Sequence, residues 1–247
     1  MDDPRALFDL SGTVSVVTGG GRGIGRSIAI GLAGAGSDLV LASRKIENCR
    51  SVADLIIERT GRRVLPVAFH VGHWEESEQL VDTVYGEFGR CDVLVNNAGI
   101  SPPYEDLPLV TEELWTKTHD VNAKGPFRLS TLFAARMFDA GGGSIINVSS
   151  GASRSPRSDN VVYAMSKGGL DTLTLGLIAR YGPKVRVNTL YPGVIETDML
   201  GAWESRDEFI EETGIETVGQ PDDFVGAAVF LASAASRFTT GAELPVA

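Results

Sequence analysis

The sequence predicts a doubly wound α/β fold: one mostly parallel sheet of seven strands with helices on both faces. Three observations lead there. Short β-branched runs alternate with segments of helical period along the whole chain. A glycine-rich stretch follows the first of those runs and opens the first helical segment. No internal repeat, charge block or long linker interrupts the alternation, and 247 residues suit a single core burying roughly 70–75% of the unfolded surface. Residues 1–247 are therefore expected to form one domain.

The first strand is Val14-Ser15-Val16-Val17, followed by a helix from about Gly23 to Ala35. Further strands are expected at Leu39 to Ala42, Val64 to Phe69, Val93 to Asn96, Ser144 to Val148, Val185 to Leu190 and Glu243 to Val246. Helices are expected near 47–60, 75–88, 111–122, 126–140, 161–181 and 222–232. Pro221 with Asp222 and Asp223 suits the start of the last helix, where proline loses no hydrogen bond and the helix dipole favours acids. Parallel neighbours require right-handed crossovers, so the helices must cover both faces of the sheet. Ligands in such sheets bind at the carboxyl ends of the strands, near the point where strand order reverses.

Twenty-two basic against 32 acidic residues leave a net charge of −10. That balance disfavours attraction to polyanions, so neither nucleic acid nor membrane is an expected partner. No apolar run approaches the roughly 18 residues needed to cross a bilayer. Met1-Asp2-Asp3-Pro4 is acidic where a secretory signal would be basic, and a cytoplasmic location is expected. Cys49 and Cys91 are too few for a disulfide framework and are expected to be free thiols. His70, His73 and His119 have neither HExxH spacing nor cysteine partners, so no metal site is expected. The acid pairs Glu75-Glu76, Glu112-Glu113 and Asp222-Asp223 fall at expected helix starts, where they serve the dipole.

The first loop reads Thr18-Gly19-Gly20-Gly21-Arg22-Gly23-Ile24-Gly25. Missing side chains at this place let backbone N–H groups and a helix N-terminus approach an anion, although a glycine turn that only lets strand and helix pack would read the same. Its spacing, Gly19-x-x-x-Gly23-x-Gly25, is not GxGxxG. The second strand ends in Ser43 and Arg44, where NAD-binding sheets place an acid against the ribose 2′-hydroxyl. A carboxylate would repel a 2′-phosphate, whereas a guanidinium pairs with it, and Arg22 offers a second positive charge. The pattern favours NADP(H) over NAD(H).

The fourth strand ends in Asn96-Asn97-Ala98-Gly99, small and amide-rich where backbone must pass close to a ligand or another strand. Ser149-Ser150 follows the fifth strand, with Tyr163 and Lys167 further on. Tyr163 and Lys167 stand i and i+4, so on a helix they share a face and the ammonium can stabilise a phenolate. A tyrosine of ordinary pKa about 10 then becomes usable as a general acid or base near neutrality, with Ser150 to hydrogen-bond a substrate oxygen.

This combination resembles the short-chain dehydrogenase/reductase family over essentially the whole chain. The shared features are Thr18-Gly19-x-x-x-Gly23-x-Gly25, Asn96-Asn97-Ala98-Gly99, Asn122 in Asp120-Val121-Asn122, Ser150, Tyr163-x-x-x-Lys167, and Pro192-Gly193-x-x-x-Thr197 after Val187-Asn188. The resemblance implies a Rossmann fold and hydride exchange between NADP(H) and a carbonyl or secondary alcohol, within a homodimer or homotetramer. It implies that Tyr163 exchanges the proton with the substrate oxygen, that Ser150 polarises that oxygen, that Lys167 lowers the tyrosine pKa and holds the nicotinamide ribose, and that Asn122 places a relay water. It further implies that Gly19, Arg22, Ile24, Asn97 and Ile195 contact the dinucleotide, with Gly23, Gly25, Ser43, Arg44, Ala98, Gly99, Pro192 and Gly193 around it and Thr197 near its nicotinamide end.

Some positions depart from the family. His70-Val71 stands where an Asp or Asn before Val usually serves the adenine, so that contact is expected to be rearranged. The chain stops at Ala247, where members usually continue with a glycine-rich tail into a subunit interface. Arg154 and Arg157 are read as solvated loop arginines, with an anionic substrate or an acidic carrier protein as the alternatives. Pro102, Pro103, Tyr104, Met199, Leu200 and Trp203 follow strand ends and are candidate pocket residues. Oxoacyl-thioester, small-ketone and sugar substrates stay open, since one fold hosts many functions. The alternatives in other classes are a dinucleotide-binding sensor or scaffold without turnover, and a dehydratase or epimerase on the same sheet.

Overall fold

The computed structural model describes residues 3–197 and 218–247. Met199, Leu200 and Trp203 lie outside them. The strands are β1 (Val14–Thr18), β2 (Asp38–Ser43), β3 (Val64–Ala68), β4 (Val93–Asn96), β5 (Gly143–Val148), β6 (Val185–Pro192) and β7 (Glu243–Val246). They form one sheet in the order β3-β2-β1-β4-β5-β6-β7, with every neighbouring pair parallel. The doubly wound fold and all seven strands expected from the sequence are present.

The helices are α1 (Gly23–Gly34), α2 (Ile46–Thr60), α3 (Trp74–Phe88), α4 (Glu112–His119), α5 (Gly125–Asp139), α6 (Val161–Tyr181) and α7 (Phe224–Ala232). Because helices cover both faces, the central strands read as continuous apolar runs whose alternate residues face opposite ways. Val17, Leu39, Leu41, Val93, Val95 and Ile146 join one core with Ile28, Leu32, Ile56, Phe224 and Leu231. Val16, Val40, Leu94 and Ile145 join the other with Leu80, Val84, Leu129, Phe133 and Leu177. Burying both faces holds the strands in one register and leaves their carboxyl ends, with the loops that follow, along one edge.

One junction differs from expectation. The separate helices expected over 111–122 and 126–140 are joined by a π turn, Asp120–Lys124, closed by a hydrogen bond from the Gly125 N–H to the Asp120 carbonyl. Pro126 lacks an N–H and so cannot continue the ordinary ladder, and Gly125 packs hard against the loop after β3. A Cβ at Gly125 would stand 2.0 Å from the Val71 carbonyl oxygen. The wider turn carries Asn122 inward, where it is fully buried. π turns of this kind recur at functional sites.

Gly125→Ala is expected to destabilise the protein by about 2 kcal/mol, because neither the β3 loop backbone nor the helix can yield to a methyl group. Urea unfolding of the variant beside the parent measures this, and a change below about 0.5 kcal/mol would refute the tight contact.

Candidate active site

Strand order reverses between β1 and β4, and the loops after these two strands are tied together. The Thr18 hydroxyl oxygen accepts from the backbone N–H groups of Asn97 and Ala98 at 3.0 and 3.1 Å, and its O–H donates to the Val95 carbonyl at 3.2 Å. The Asn97 side-chain amide donates to the carbonyls of Thr18 and Gly19 at 2.9 and 3.4 Å. Gly25 is where these loops meet: a Cβ there would stand 2.4 Å from both Asn97 Nδ2 and the Gly19 carbonyl oxygen. Gly19 has φ +67°, in the left-handed region that favours glycine. The glycines thus have a packing role within the chain in addition to any ligand role. Helix α1 begins at Gly23 with no side-chain cap from Arg22, so its first N–H groups face the crevice without a capping side chain among the described residues.

Ser43 ends β2 with its hydroxyl donating to the Lys45 carbonyl at 3.2 Å and lying 3.1 Å from Cys49 Sγ. Arg44 beside it is exposed. His70 is built into the start of α3: its backbone N–H donates to Glu76 at 2.7 Å, and its Nδ1 accepts from the Gly72 N–H at 3.2 Å. Its ring stacks on His73 at 4.0 Å. Burial, with help from the charges of His73 and Arg44, lowers the His70 pKa against an opposing pull from Glu76. Glu76 therefore does more than serve the dipole of α3. Among the described residues no group of histidines, cysteines and acids is arranged to hold a metal ion.

On the other side of the reversal the structure brings Asn122, Ser150, Tyr163 and Lys167 together. Ser150 caps a short 3-10 turn, Gly151–Ser153, accepting from the Ala152 N–H at 3.2 Å. Its hydroxyl also acts on the Tyr163 phenol, lowering its pKa against the larger rise from burial. Tyr163 and Lys167 lie one turn apart on α6, with Lys167 Nζ 5.8 Å from the Tyr163 ring centre. Lys167 is only 3% exposed, and its ammonium donates to the Val148 carbonyl at 2.8 Å. Gly99 sits against this cluster: a Cβ there would meet Asn122 Oδ1 and Lys167 Nζ, each at 3.4 Å. The Asn122 side chain is fully committed, donating to the Ile100 carbonyl and Ser166 Oγ at 2.8 and 2.9 Å and accepting from the Ile100 N–H at 2.9 Å.

Burial sets the titration of the pair. It pushes the Tyr163 phenol above its ordinary value, and the neighbouring Ser150 hydroxyl pulls it back. It pushes Lys167 down to about 8, opposed by the Asp171 carboxylate. Asp171 is one turn beyond Lys167 on α6 and was not among the sequence candidates; the same i+4 spacing that singled out Lys167 would have found it.

The remaining expected residues are placed as follows. Ile195 is buried and bridges to Gly219, while a Cβ at Gly23 would stand 3.6 Å from Thr197 Cγ2. Pro192 pairs with Val246, and the Gly193 N–H donates to the Val246 carbonyl at 2.9 Å, so both are engaged by β7. Arg154 pairs with Glu243 and lies over the Tyr191 ring, and Arg157 pairs with Asp159. The Tyr104 hydroxyl is bonded to the start of α6.

A profile of the family described as short chain dehydrogenase matches residues 13–208. A curated relative from Pongo abelii, dehydrogenase/reductase SDR family member 4, is 38% identical over 243 residues, covering 96% of this chain and 87% of the relative. Among solved structures, an NADPH-dependent 3-quinuclidinone reductase from Rhodotorula rubra superposes with TM-score 0.92 at 30% identity, covering 99% of this chain and 93% of that one. A 7α-hydroxysteroid dehydrogenase complexed with NADH and 7-oxo glycochenodeoxycholic acid superposes with TM-score 0.90 at 30% identity, covering 99% and 96%. The chain belongs to the short-chain dehydrogenase/reductase family, and it is an oxidoreductase acting on alcohol and carbonyl groups.

Because its folded pKa is about 8 against an ordinary 10.5, Lys167 carries a burial penalty that is fully present below pH 8. The penalty lifts as pH rises toward the unfolded value, since the unfolded chain then holds a proton the folded chain has released. In cofactor-free protein, the stability of Lys167→Met relative to the parent is expected to fall between pH 7 and pH 10. Urea unfolding at both pH values checks this, and a difference independent of pH would mean the ammonium is not desolvated.

Proposed function

We propose that the protein is an NADP(H)-dependent carbonyl reductase or secondary-alcohol dehydrogenase with Tyr163 as its general acid and base. The observation that carries this reading is the cluster in which Tyr163, half-buried, its pKa raised by burial and lowered by the Ser150 hydroxyl, stands one helical turn from a buried, desolvated Lys167. In the direction of reduction, negative charge builds on the substrate oxygen as its carbon accepts hydride. Two aligned hydroxyls stabilise that charge where it develops, and Tyr163 completes the step by giving its proton to the oxygen. Lys167 favours the resulting phenolate by its charge. Since every polar atom of the Asn122 side chain is already bonded, the relay water assigned to this residue would be held by its backbone.

The residues present fit a phosphorylated dinucleotide. The uncapped start of α1 suits a diphosphate, and Arg44 stands exposed at the end of β2 with no acid in the ribose position. The Ser43 hydroxyl is spent on its own turn, so discrimination rests on Arg44 and Arg22. Gly19, Ile24, Asn97, Ala98, Gly99, Val71, Ile195 and Thr197 are assigned to the dinucleotide path, with His70 at the adenine end. When bound, the cofactor supplies or accepts the hydride. An NADPH-dependent structure and one complexed with NADH share the fold equally well, so the fold does not set the preference, and we assign it to the residues at the end of β2. A sensor without turnover would have no use for the Ser150, Tyr163 and Lys167 cluster. The substrate is assigned as a small carbonyl compound or secondary alcohol, and a cytoplasmic setting suits two buried free thiols.

NADPH and NADH consumption across ketones, diketones, sugars and 3-oxoacyl thioesters tests the reading. Tyr163→Phe is expected to lower kcat by roughly a thousandfold. Arg44→Ala is expected to reduce the preference for NADPH by about 10- to 100-fold, the effect of one charged hydrogen-bonded contact. Tight cofactor binding with no turnover, or turnover indifferent to the Tyr163 hydroxyl, would overturn it.

We also propose a homodimer or homotetramer. Leu107, Leu109, Trp115, Phe127, Met165 and Leu175 are exposed on α4, α5, α6 and the turn before them, an apolar surface that suits a second copy. Sedimentation at micromolar concentration is expected to give a dimer or larger, and a monomer alone would overturn this.

A further inference from the structure

Helix α6 carries Tyr163 on its third residue, yet it lacks a cap of its own. The first N–H groups of a helix have no partner within it, and a side chain at the N-cap usually supplies one. Here the N-cap residue is Asn160, whose side chain makes no capping bond and instead accepts from the Arg157 N–H at 2.9 Å. The partner comes from far along the chain. The Tyr104 hydroxyl oxygen accepts from the Val161 N–H at 2.7 Å, and its O–H donates to the Ser158 carbonyl at 2.9 Å. One hydroxyl therefore closes the first turn of α6 and pins the segment that leads into it.

Tyr104 lies in the loop that follows β4, and the start of that same loop holds Gly99, packed against Asn122 and Lys167. The loop thus grips the cluster at both ends, through Gly99 at Lys167 and through Tyr104 two residues ahead of Tyr163. Nothing else among the described residues bonds the Val161 N–H.

We propose that Tyr104 is a positioning residue for Tyr163: its hydroxyl acts as the cap of α6 and sets the turn on which the proton donor is carried. Its phenol is then directed at the helix and is not offered to the substrate as a hydrogen-bonding group. The proposal rests on the oxidoreductase reading for its kinetic consequence and on geometry alone for the cap. Small misplacement of a reacting group is enough to slow a reaction without weakening binding.

Tyr104→Phe keeps the ring and removes both hydrogen bonds. Hydrogen exchange resolved to residues 161–164 is expected to quicken about tenfold, with exchange in β1 and β4 unchanged. Turnover is expected to fall roughly tenfold in kcat, while the substrate KM and the NADPH dissociation constant from cofactor fluorescence stay within twofold. Three results would overturn the proposal: unchanged exchange at 161–164, faster exchange with kcat intact, or a rise in KM that matches the loss of kcat/KM, which would make Tyr104 a substrate contact. Absence of turnover in the parent protein would instead be a failure of the oxidoreductase reading, and the exchange measurement separates the two.

Discussion

The hydrogen bonds between Thr18 and the Asn97-Ala98 backbone hold together the point at which the sheet reverses its order. All strands run the same way, so their carboxyl ends share one edge, and β1 and β4 lead their loops away to opposite sides. A crevice at that place would be loose if its two walls were free. The Thr18 hydroxyl and the Asn97 amide lock one wall to the other, and Gly25 is bare because Asn97 occupies the space a side chain would need. The nucleotide side and the Tyr163 side of the crevice are thereby held at a set separation.

Behind the Tyr163 side runs a ladder of buried polar contacts. Asn96 donates to Ser130 and Asn147, Asn147 to Thr174, and Thr174 pairs with Thr189, at distances between 2.7 and 3.1 Å. These bonds cross from α5 through β4 and β5 to α6 and β6. Buried polar groups are costly unless paired, and when paired they accept only one arrangement of the elements that carry them. That selectivity is useful beneath a site whose parts come from several strand ends.

Desolvation gives the cluster its chemistry. A lysine in water would titrate far above neutrality and influence a neighbouring phenol weakly through a high dielectric. At 3% exposure, Lys167 is held down to about 8 by burial, against the opposing pull of the Asp171 charge a turn away. Tyr163 is pushed the other way by the same burial, so in the cofactor-free protein the two groups move apart in proton affinity and the ammonium gives up its proton more readily than the phenol. The Tyr104 contact adds geometry to this balance by bonding the helix start from a loop fifty-odd residues upstream.

Much of this was legible in the sequence. Apolar alternation is a local property, so the seven strands and the doubly wound class followed from it, and Tyr163 with Lys167 followed from a spacing that any helix converts into a shared face. What stayed hidden depends on contacts between distant segments. The π turn at Asp120–Lys124 is imposed partly by the Val71 backbone pressing on Gly125; Gly25 answers to Asn97; and the hydroxyls of Ser43 and Tyr104, read as ligand- or pocket-facing, are spent within the chain. Asp171 stands at i+4 from Lys167, a spacing the sequence shows, but it matters only because burial of Lys167 makes a nearby charge count. The sequence by itself determined the kinds of element and the residue types available for chemistry, since those depend on neighbours along the chain. Only the tertiary structure decided which of those groups remain free to act and which are consumed in holding the site, because hydrogen bonding and dielectric environment are set by whatever folds against them.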